Sequence, residues 1–247
     1  MNVYPHDTIV PFKNSNESKK KQVENMFDKI AFRYDFLNRF LSVGIDVGWR
    51  KKAIKLLVSS QPKIILDVAT GTGDFALTCY KILRPKKIVG IDISKGMLEI
   101  GRKKIKDAGL QKHIELLNGD SEAIFYDDDT FDAVTVAFGV RNFENLEKGL
   151  SEIKRVLKPG GKLIVLECTK PHAPLIKQLY NFYMKTITPK IGKLIAKNDE
   201  AYQYLNNSVL SFPEKKSFTN ILNQLNYRNS FYKTLTLGIC TIYCAEK

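Results

Sequence analysis

Between Ile65 and Ala76 the chain reads ILDVATGTGDFA, an apolar run carrying the acid Asp67 that opens into a glycine-rich turn. The turn, Gly71-Thr72-Gly73-Asp74-Phe75-Ala76, has the G-x-G-x-x-A form. Only glycine bends a backbone this tightly while letting its amides approach a ligand. Asp92, followed by Ile93, ends the next apolar run, at the spacing of about twenty residues where a carboxylate receives two ribose hydroxyls. Asp120 and Ser121, in NGDSEA, offer a carboxylate and a hydroxyl to the exocyclic amine of an adenine. The plainer reading of that pair is a helix N-cap.

Two ligands share these features, a nicotinamide dinucleotide and S-adenosyl-L-methionine. Asp74 at the helix start is a poor neighbour for a pyrophosphate, whose charge needs the bare amides there. A zwitterionic amino acid with a sulfonium tolerates it better. The C-terminal segment also reads as a reversed hairpin, which dinucleotide folds usually lack. The turn is therefore read as holding S-adenosyl-L-methionine; the dehydrogenase alternative would bind NADH.

These residues need a frame that brings several strand ends to one edge. From Lys63 the strands KIILDV, KKIVGID, HIELLNGD, FDAVTVAF and GKLIVLE alternate with the helices DFALTCYKIL, SKGMLEIGRKKIKDAG and NLEKGLSEIKRVL, by their apolar periodicity. The pattern predicts an α/β fold with a Rossmann-like, doubly wound sheet. The tail reads as helix, strand, Gly238 and strand, with Gly238 returning the last strand antiparallel and bringing the sheet to seven strands. Pro159-Gly160-Gly161 reads as a helix stop and a turn into the fifth strand. Upstream, Val23, Met26, Phe27, Ile30, Ala31, Tyr34 and Leu37 recur at helical spacing, and a second helix follows from about Val47. One domain over 1–247 is expected, with a helical cap over 1–60 and a helical lid inserted over 171–213.

A chain of 247 residues with a formal net charge of +13 favours polyanions or simple solubility. The excess gathers at Lys19–Lys21, Trp49–Lys55 and Lys177–Lys197, but not in a basic groove interleaved with stacking aromatics. Nucleic acid is therefore not expected as a partner; an RNA-binding protein would show a steep salt dependence. No run of about 18 apolar residues is present to span a bilayer, and the N-terminus lacks the order of a secretory signal. The expected location is cytoplasmic. Cys79, Cys168, Cys240 and Cys244 are read as buried reduced thiols, and His6, His113 and His172 stand too far apart in sequence for a metal site.

Three longer blocks narrow the reading: Met26 to Ile54 (MFDKIAFRYDFLNRFLSVGIDVGWRKKAI), Ala137 to Gly161 (AFGVRNFENLEKGLSEIKRVLKPGG), and LEC followed by Thr169-Lys170-Pro171. From about Lys21 to the C-terminus the chain is similar to the ubiquinone/menaquinone-biosynthesis C-methyltransferases, within the class I S-adenosylmethionine-dependent methyltransferases. The resemblance implies C-methylation of demethylmenaquinol to menaquinol, with the ubiquinone precursor or another small lipophilic acceptor as alternatives. The candidate cofactor-binding residues are Asp67, Gly71, Thr72, Gly73, Asp92, Ile93, Asp120, Ser121 and Ala137, and of these the resemblance implies contacts at Thr72, Asp92, Asp120 and Ser121. Ala137 stands where the family often carries serine, so one hydrogen bond worth about 1 kcal/mol is absent.

A ring carbon attacks a methyl sulfonium only if the ring is electron-rich, which an ionising quinol hydroxyl beside a cation provides. Arg141 and Asn142, just past the fourth strand, are the candidates for that activation; the plainer alternative is an ion pair and a helix cap. Tyr34 and Asp35 either close over the site or, for Tyr34, pack in the apolar stripe. The implied partner is a prenylated quinol. Lys177 to Leu205, with Leu179, Phe182, Met184 and Ile187, reads either as a lid on anionic lipid or as an ordinary packed cap. Peripheral attachment at the inner face of the cytoplasmic membrane and a homodimer both fit the reading.

Overall fold

Seven strands form one sheet in the computed structural model, which describes residues 4–171, 178 and 199–247. β1 (Ile64–Val68), β2 (Lys87–Asp92), β3 (Ile114–Asn118), β4 (Phe131–Ala137) and β5 (Leu157–Cys168) run parallel. β7 (Cys240–Glu246) lies antiparallel between β5 and β6 (Arg228–Leu235), giving the order β3-β2-β1-β4-β5-β7-β6. The inner strands are apolar on both faces: Leu66, Val68, Val134 and Val136 enter one core layer, Ile65, Ala133, Ile164 and Leu166 the other. Helices on both sides cover such a sheet. The doubly wound architecture and the reversed last strand agree with the sequence reading.

Strand order reverses between β1 and β4, the switch point beyond whose carboxyl ends open α/β sheets bind ligands. α3 (Asp74–Leu83), α4 (Lys95–Asp107) and α5 (Leu146–Val156) return the chain between parallel strands, and α7 (Lys216–Gln224) leads into β6. At the N-terminus α1 (Lys19–Leu41) begins at Ser18, whose side chain accepts from the Lys21 N–H, and buries Val23, Met26, Ala31 and Leu37. α2 (Ile45–Ile54) starts at Ile45 rather than Val47, since Gly44 at φ 75° completes the turn after α1.

Pro159-Gly160-Gly161 lies inside β5 instead of preceding it. α5 stops at Val156 and pairing begins at once, Phe131 opposite Leu157, then shifts so that Ala133 meets Lys162. The extra residues form an irregularity of the bulge kind, with Gly160 at φ 75°. Of the expected lid, α6 (Asp199–Ser211) is described. The readings of Leu179, Phe182, Met184 and Ile187, and of the basic run to Lys197, lie outside the described residues. No helix among the described residues is long and apolar enough to cross a membrane.

Pairing places Asp67 opposite Gly90 on β2 and Thr135 on β4. A Cβ at Gly90 would stand 2.4 Å from Leu116 Cδ2 and 2.7 Å from Thr70 Oγ1. Gly90 is therefore the space into which the Thr70 side chain folds. Gly90→Ala is expected to cost about 1–3 kcal/mol by overpacking, measured by urea unfolding. A loss below about 0.5 kcal/mol, the scale of an ordinary surface change, would show that the space is not needed.

Candidate active site

Two non-glycine residues adopt left-handed backbone at the adjoining strand ends, Ala69 after β1 at φ 53° and Phe138 after β4 at φ 58°. Such conformations are strained and cluster at functional sites. Between them opens a crevice of about 70 Å³, walled by Gly71, Asp92, Ile93, Asp120, Ser121 and Ala137 from the sheet edge and by Lys20, Phe27 and Tyr34 from α1. Gly71 and Gly73 have φ of 55° and 77°, the region that glycine enters at little cost. Among the residues expected to hold a cofactor, Asp67, Thr72 and Gly73 do not line this crevice.

Their positions explain why. Asp67 is fully enclosed, with Oδ2 accepting from Thr70 Oγ1 at 2.6 Å and Oδ1 from Thr135 Oγ1 at 2.6 Å. Burial pushes its carboxyl up to about 6. It fixes the glycine turn to β4 from beneath. Thr72 Oγ1 donates to Asp35 Oδ1 at 2.5 Å and accepts from Lys104 Nζ at 3.0 Å, locking α1 and α4 onto the turn. Asp35 thus reaches over the turn, the role read for it from the sequence. Asp74 faces Lys104 Nζ at 2.7 Å and Arg39 at 3.5 Å, so its charge is matched outside the crevice and does not discriminate between ligands.

Asp92 does face the crevice. Its Oδ2 accepts from the Gly71 N–H and its Oδ1 from the Ser94 N–H, each at 2.8 Å, and burial raises its pKa to about 6 against those two hydrogen bonds. A carboxylate has about four lone-pair sites, so acceptor capacity remains on both oxygens. Asp120 is no helix cap. Its Oδ1 accepts from the Glu122 N–H in a turn bridged to Ala123, and Lys20 Nζ lies 2.6 Å from Oδ2. Among the described residues the crevice wall carries four carboxylates, Asp92, Asp120, Glu122 and Glu144, against one cation, Lys20. That balance suits a sulfonium bearing an ammonium and opposes a pyrophosphate, so the donor set fits S-adenosyl-L-methionine.

Beside the crevice lies an apolar cavity of about 180 Å³, walled by Met26, Ile30, Leu37 and Leu41 of α1, Trp49 of α2, and Tyr204, Leu205 and Val209 of α6. Phe27, Tyr34, Phe138 and Asn142 line both spaces. Tyr34 therefore packs in the stripe and faces both chambers. Arg141 lies at the cavity wall with Nη1 donating to Glu167 Oε1 at 2.5 Å and to the Phe138 carbonyl at 2.7 Å. Burial opposes its charge, and the Glu167 carboxylate more than restores it, so its pKa is raised. The ion-pair reading of Arg141 is thus true, yet its Nε has no partner among the described residues.

Asn142 does not cap the next helix; Asn145 does, accepting from the Lys148 N–H at 2.9 Å. Asn142 Nδ2 makes a long 3.3 Å hydrogen bond to the Phe138 carbonyl, and Oδ1 accepts from Tyr204 OH at 3.1 Å. A second pair, Arg50 with Asp46, also faces the cavity. Cys168 lines the cavity and is only half-buried, unlike the other three cysteines. Sequence reasoning missed Lys20, Arg50, Phe138 and Tyr204. Lys20 and Arg50 stood in runs read only as bulk charge, and nothing in the spacing of Tyr204 marked it.

The seven-stranded order with a reversed β7, and an acidic crevice at the switch point, define the class as a Rossmann-like methyltransferase fold. A solved Thermotoga maritima structure described as a S-adenosylmethionine-dependent methyltransferase, a possible histamine N-methyltransferase, superposes with a TM-score of 0.63 at 17% identity over 91% of this chain and 99% of its own. A Haemonchus contortus phosphoethanolamine N-methyltransferase solved with S-adenosyl-L-methionine gives a TM-score of 0.56 at 14% identity, covering 75% of this chain and 48% of that one. The chain belongs to the ubiE/COQ5 methyltransferase family, whose sequence profile matches residues 14–247. It is 46% identical to a demethylmenaquinone methyltransferase of Bacteroides fragilis over 99% of both chains. It is 44% identical to a ubiquinone/menaquinone biosynthesis C-methyltransferase of Geobacter sulfurreducens over 93% of this chain and 90% of the relative.

Removing one partner of a buried pair leaves the other charge uncompensated. Glu167→Ala is expected to destabilise the fold by roughly 3–5 kcal/mol, read from the denaturation midpoint. Replacing both partners with methionine should recover most of that stability. A double variant no more stable than Glu167→Ala would mean that the cost is lost packing rather than an unpaired charge.

Proposed function

We propose that this enzyme transfers the methyl group of S-adenosyl-L-methionine to a ring carbon of demethylmenaquinol, forming menaquinol, a respiratory quinone in its reduced form. The observation that carries the reading is the shared wall. Phe27, Tyr34, Phe138 and Asn142 border both an acidic crevice and an apolar cavity, so the two spaces adjoin and ligands in them come together at that border. When bound, the cofactor supplies an electrophilic methyl on a sulfonium. Gly71, Asp92, Ile93, Asp120, Ser121 and Ala137 hold it from the sheet edge, while Asp67, Thr72 and Gly73 shape the turn.

The chain's own groups then prepare the acceptor. The cavity takes a flat apolar ring against Trp49, Phe138 and the α1 stripe. Arg141 presents a permanent charge that favours the ionised quinol hydroxyl. Asn142, free to exchange its long hydrogen bond to the Phe138 carbonyl, orients an acceptor oxygen. No group need form a covalent bond to the substrate. What remains is to keep carbon, methyl and sulfur in line at near-attack distance.

A naphthoquinol ring is preferred to the benzoquinol of ubiquinone synthesis because the relative from Bacteroides fragilis is named for demethylmenaquinone. The prenyl tail of such an acceptor is membrane-bound, and the enzyme is read as a cytoplasmic protein that meets it at the inner face of the cytoplasmic membrane. It is read as a single domain whose residues 1–60 cap the site and whose segment 171–213 serves as a lid; a homodimer is compatible with it.

Two measurements test the reading. Radiolabelled S-adenosyl-L-methionine with reduced demethylmenaquinone should label the naphthoquinol ring. Asn142→Ala should lower kcat about 10²-fold, the scale of one lost oxyanion donor, with cofactor affinity unchanged. Label on neither this quinol nor the demethylated ubiquinol precursor, with cofactor binding intact, would leave the fold and remove the substrate.

The second measurement is pH. The raised pKa of Asp92, about 6, means that it is ionised above that pH and protonated below it. Ribose hydroxyls donate to the ionised form, so cofactor affinity should fall as pH drops through about 6. Calorimetry at pH 5 and 7.5 should show the step in the wild type and its absence in Asp92→Asn. An unaltered step in the variant would assign it to another group.

A further inference from the structure

α1 has a second apolar face that neither chamber uses. Phe32, Phe36 and Phe40 recur every fourth residue and stand 92%, 58% and 48% exposed, with Phe36 and Phe40 stacked at 6.0 Å. The turn that follows adds Val43 at 79% exposed and Ile45 at 45%. Single exposed apolar residues need no explanation, but a contiguous ridge of aromatic rings marks an interaction surface. On α1 and α2 the bases without a counter-charge among the described residues outnumber such acids. The acids of α1 are engaged elsewhere: Glu24 with Lys21, Asp28 with Ser94 and Gly96, Asp35 with Thr72 and Lys104. The exposed bases Arg33 on α1 and Lys51 and Lys52 on α2 have no carboxylate partner among the described residues.

We propose that this ridge and its basic rim are a docking surface for an anionic lipid bilayer. The rings enter the boundary between headgroups and acyl chains, and the bases face the anionic headgroups. Continuity with the cavity favours a bilayer over a protein partner. Leu41 and Ser42 line the cavity, and they sit in the chain between the exposed Phe40 and Val43. The cavity therefore reaches the edge of the ridge, where the ring of a membrane lipid can enter while its tail stays in the acyl layer. The use of the cavity by a prenylated ring rests on the proposed function; docking itself does not.

The test is co-sedimentation of the full chain with phosphatidylcholine vesicles, with and without phosphatidylglycerol. It compares the wild type with a Phe32→Gln/Phe36→Gln/Phe40→Gln variant and a Lys51→Glu/Lys52→Glu variant. Wild type should bind the anionic vesicles, and each variant should partition roughly tenfold less or worse. Methyl transfer to a water-soluble, short-tailed naphthoquinol should be unchanged in all three. Absence of wild-type binding, or a ridge variant that binds as wild type does, overturns the proposal. So does a wild-type dimer that ignores vesicles and becomes a monomer in the ridge variant, since the ridge is then a self-association surface. Vesicle binding by wild type without transfer to the short-tailed quinol removes the proposed function and supports docking.

Discussion

A carboxylate enclosed by protein holds the sheet at the place where its strand order reverses. Both oxygens of Asp67 are occupied by hydroxyls, Thr70 from the glycine turn and Thr135 from the neighbouring strand, with no cation in contact among the described residues. Burying an acid without a counter-charge is costly, and two short hydrogen bonds offset only part of it; the raised pKa is the residue of that imbalance. In return the exits of β1 and β4 are tied together at a fixed separation. The left-handed turns at Ala69 and Phe138 diverge from those tied ends, and the crevice is the gap between them. The bare Cα of Gly90 follows from the same constraint, since the Thr70 side chain that reaches Asp67 packs against it.

Over that edge lies one long helix whose faces do different work. One face of α1 walls the cavity with Met26, Ile30, Leu37 and Leu41. Another carries Asp28 and Asp35, which hydrogen-bond the start of α4 and the glycine turn. Lys20 reaches the far side of the crevice and meets Asp120 and Glu122. The helix is thus held by partly exposed polar contacts spread over several turns. Such contacts are individually weak, and the burial of Val23, Met26, Ala31 and Leu37 on the same helix adds the apolar share of its attachment.

What the sequence made legible follows from how local each signal is. The strands were readable because a sheet buried on both faces writes near-continuous apolar runs, and the glycine turn because only that residue serves there. Asp92 was readable from its spacing. The partners of Asp67 and Arg141 were not, because Thr135 and Glu167 lie on other strands, and strand register is invisible until the sheet is assembled. Asn142 was offered two roles, and the choice turned on Asn145, three residues further on. The apolar stripe of α1 was recognised, yet helical periodicity alone did not reveal that Phe32, Phe36 and Phe40 form a second stripe facing out.

The cavity's charge is arranged as neutral pairs, and this bears on how it would act on a quinol. Arg141 lies with Glu167 and Arg50 with Asp46, so a neutral lipophilic ring entering the cavity meets little net field. A lone guanidinium there would have attracted anions and held the ionised ring in a stable ground state, which raises affinity without raising rate. With its partner fixed on one side, Arg141 is a dipole whose positive end faces the cavity, and its stabilisation grows as negative charge develops on the ring oxygen. Preorganised groups of this kind act most strongly where water is excluded. In the proposed reaction Glu167 therefore sets both the stability of the buried cation and the share of its charge that the acceptor feels, which makes it a positioning residue for Arg141.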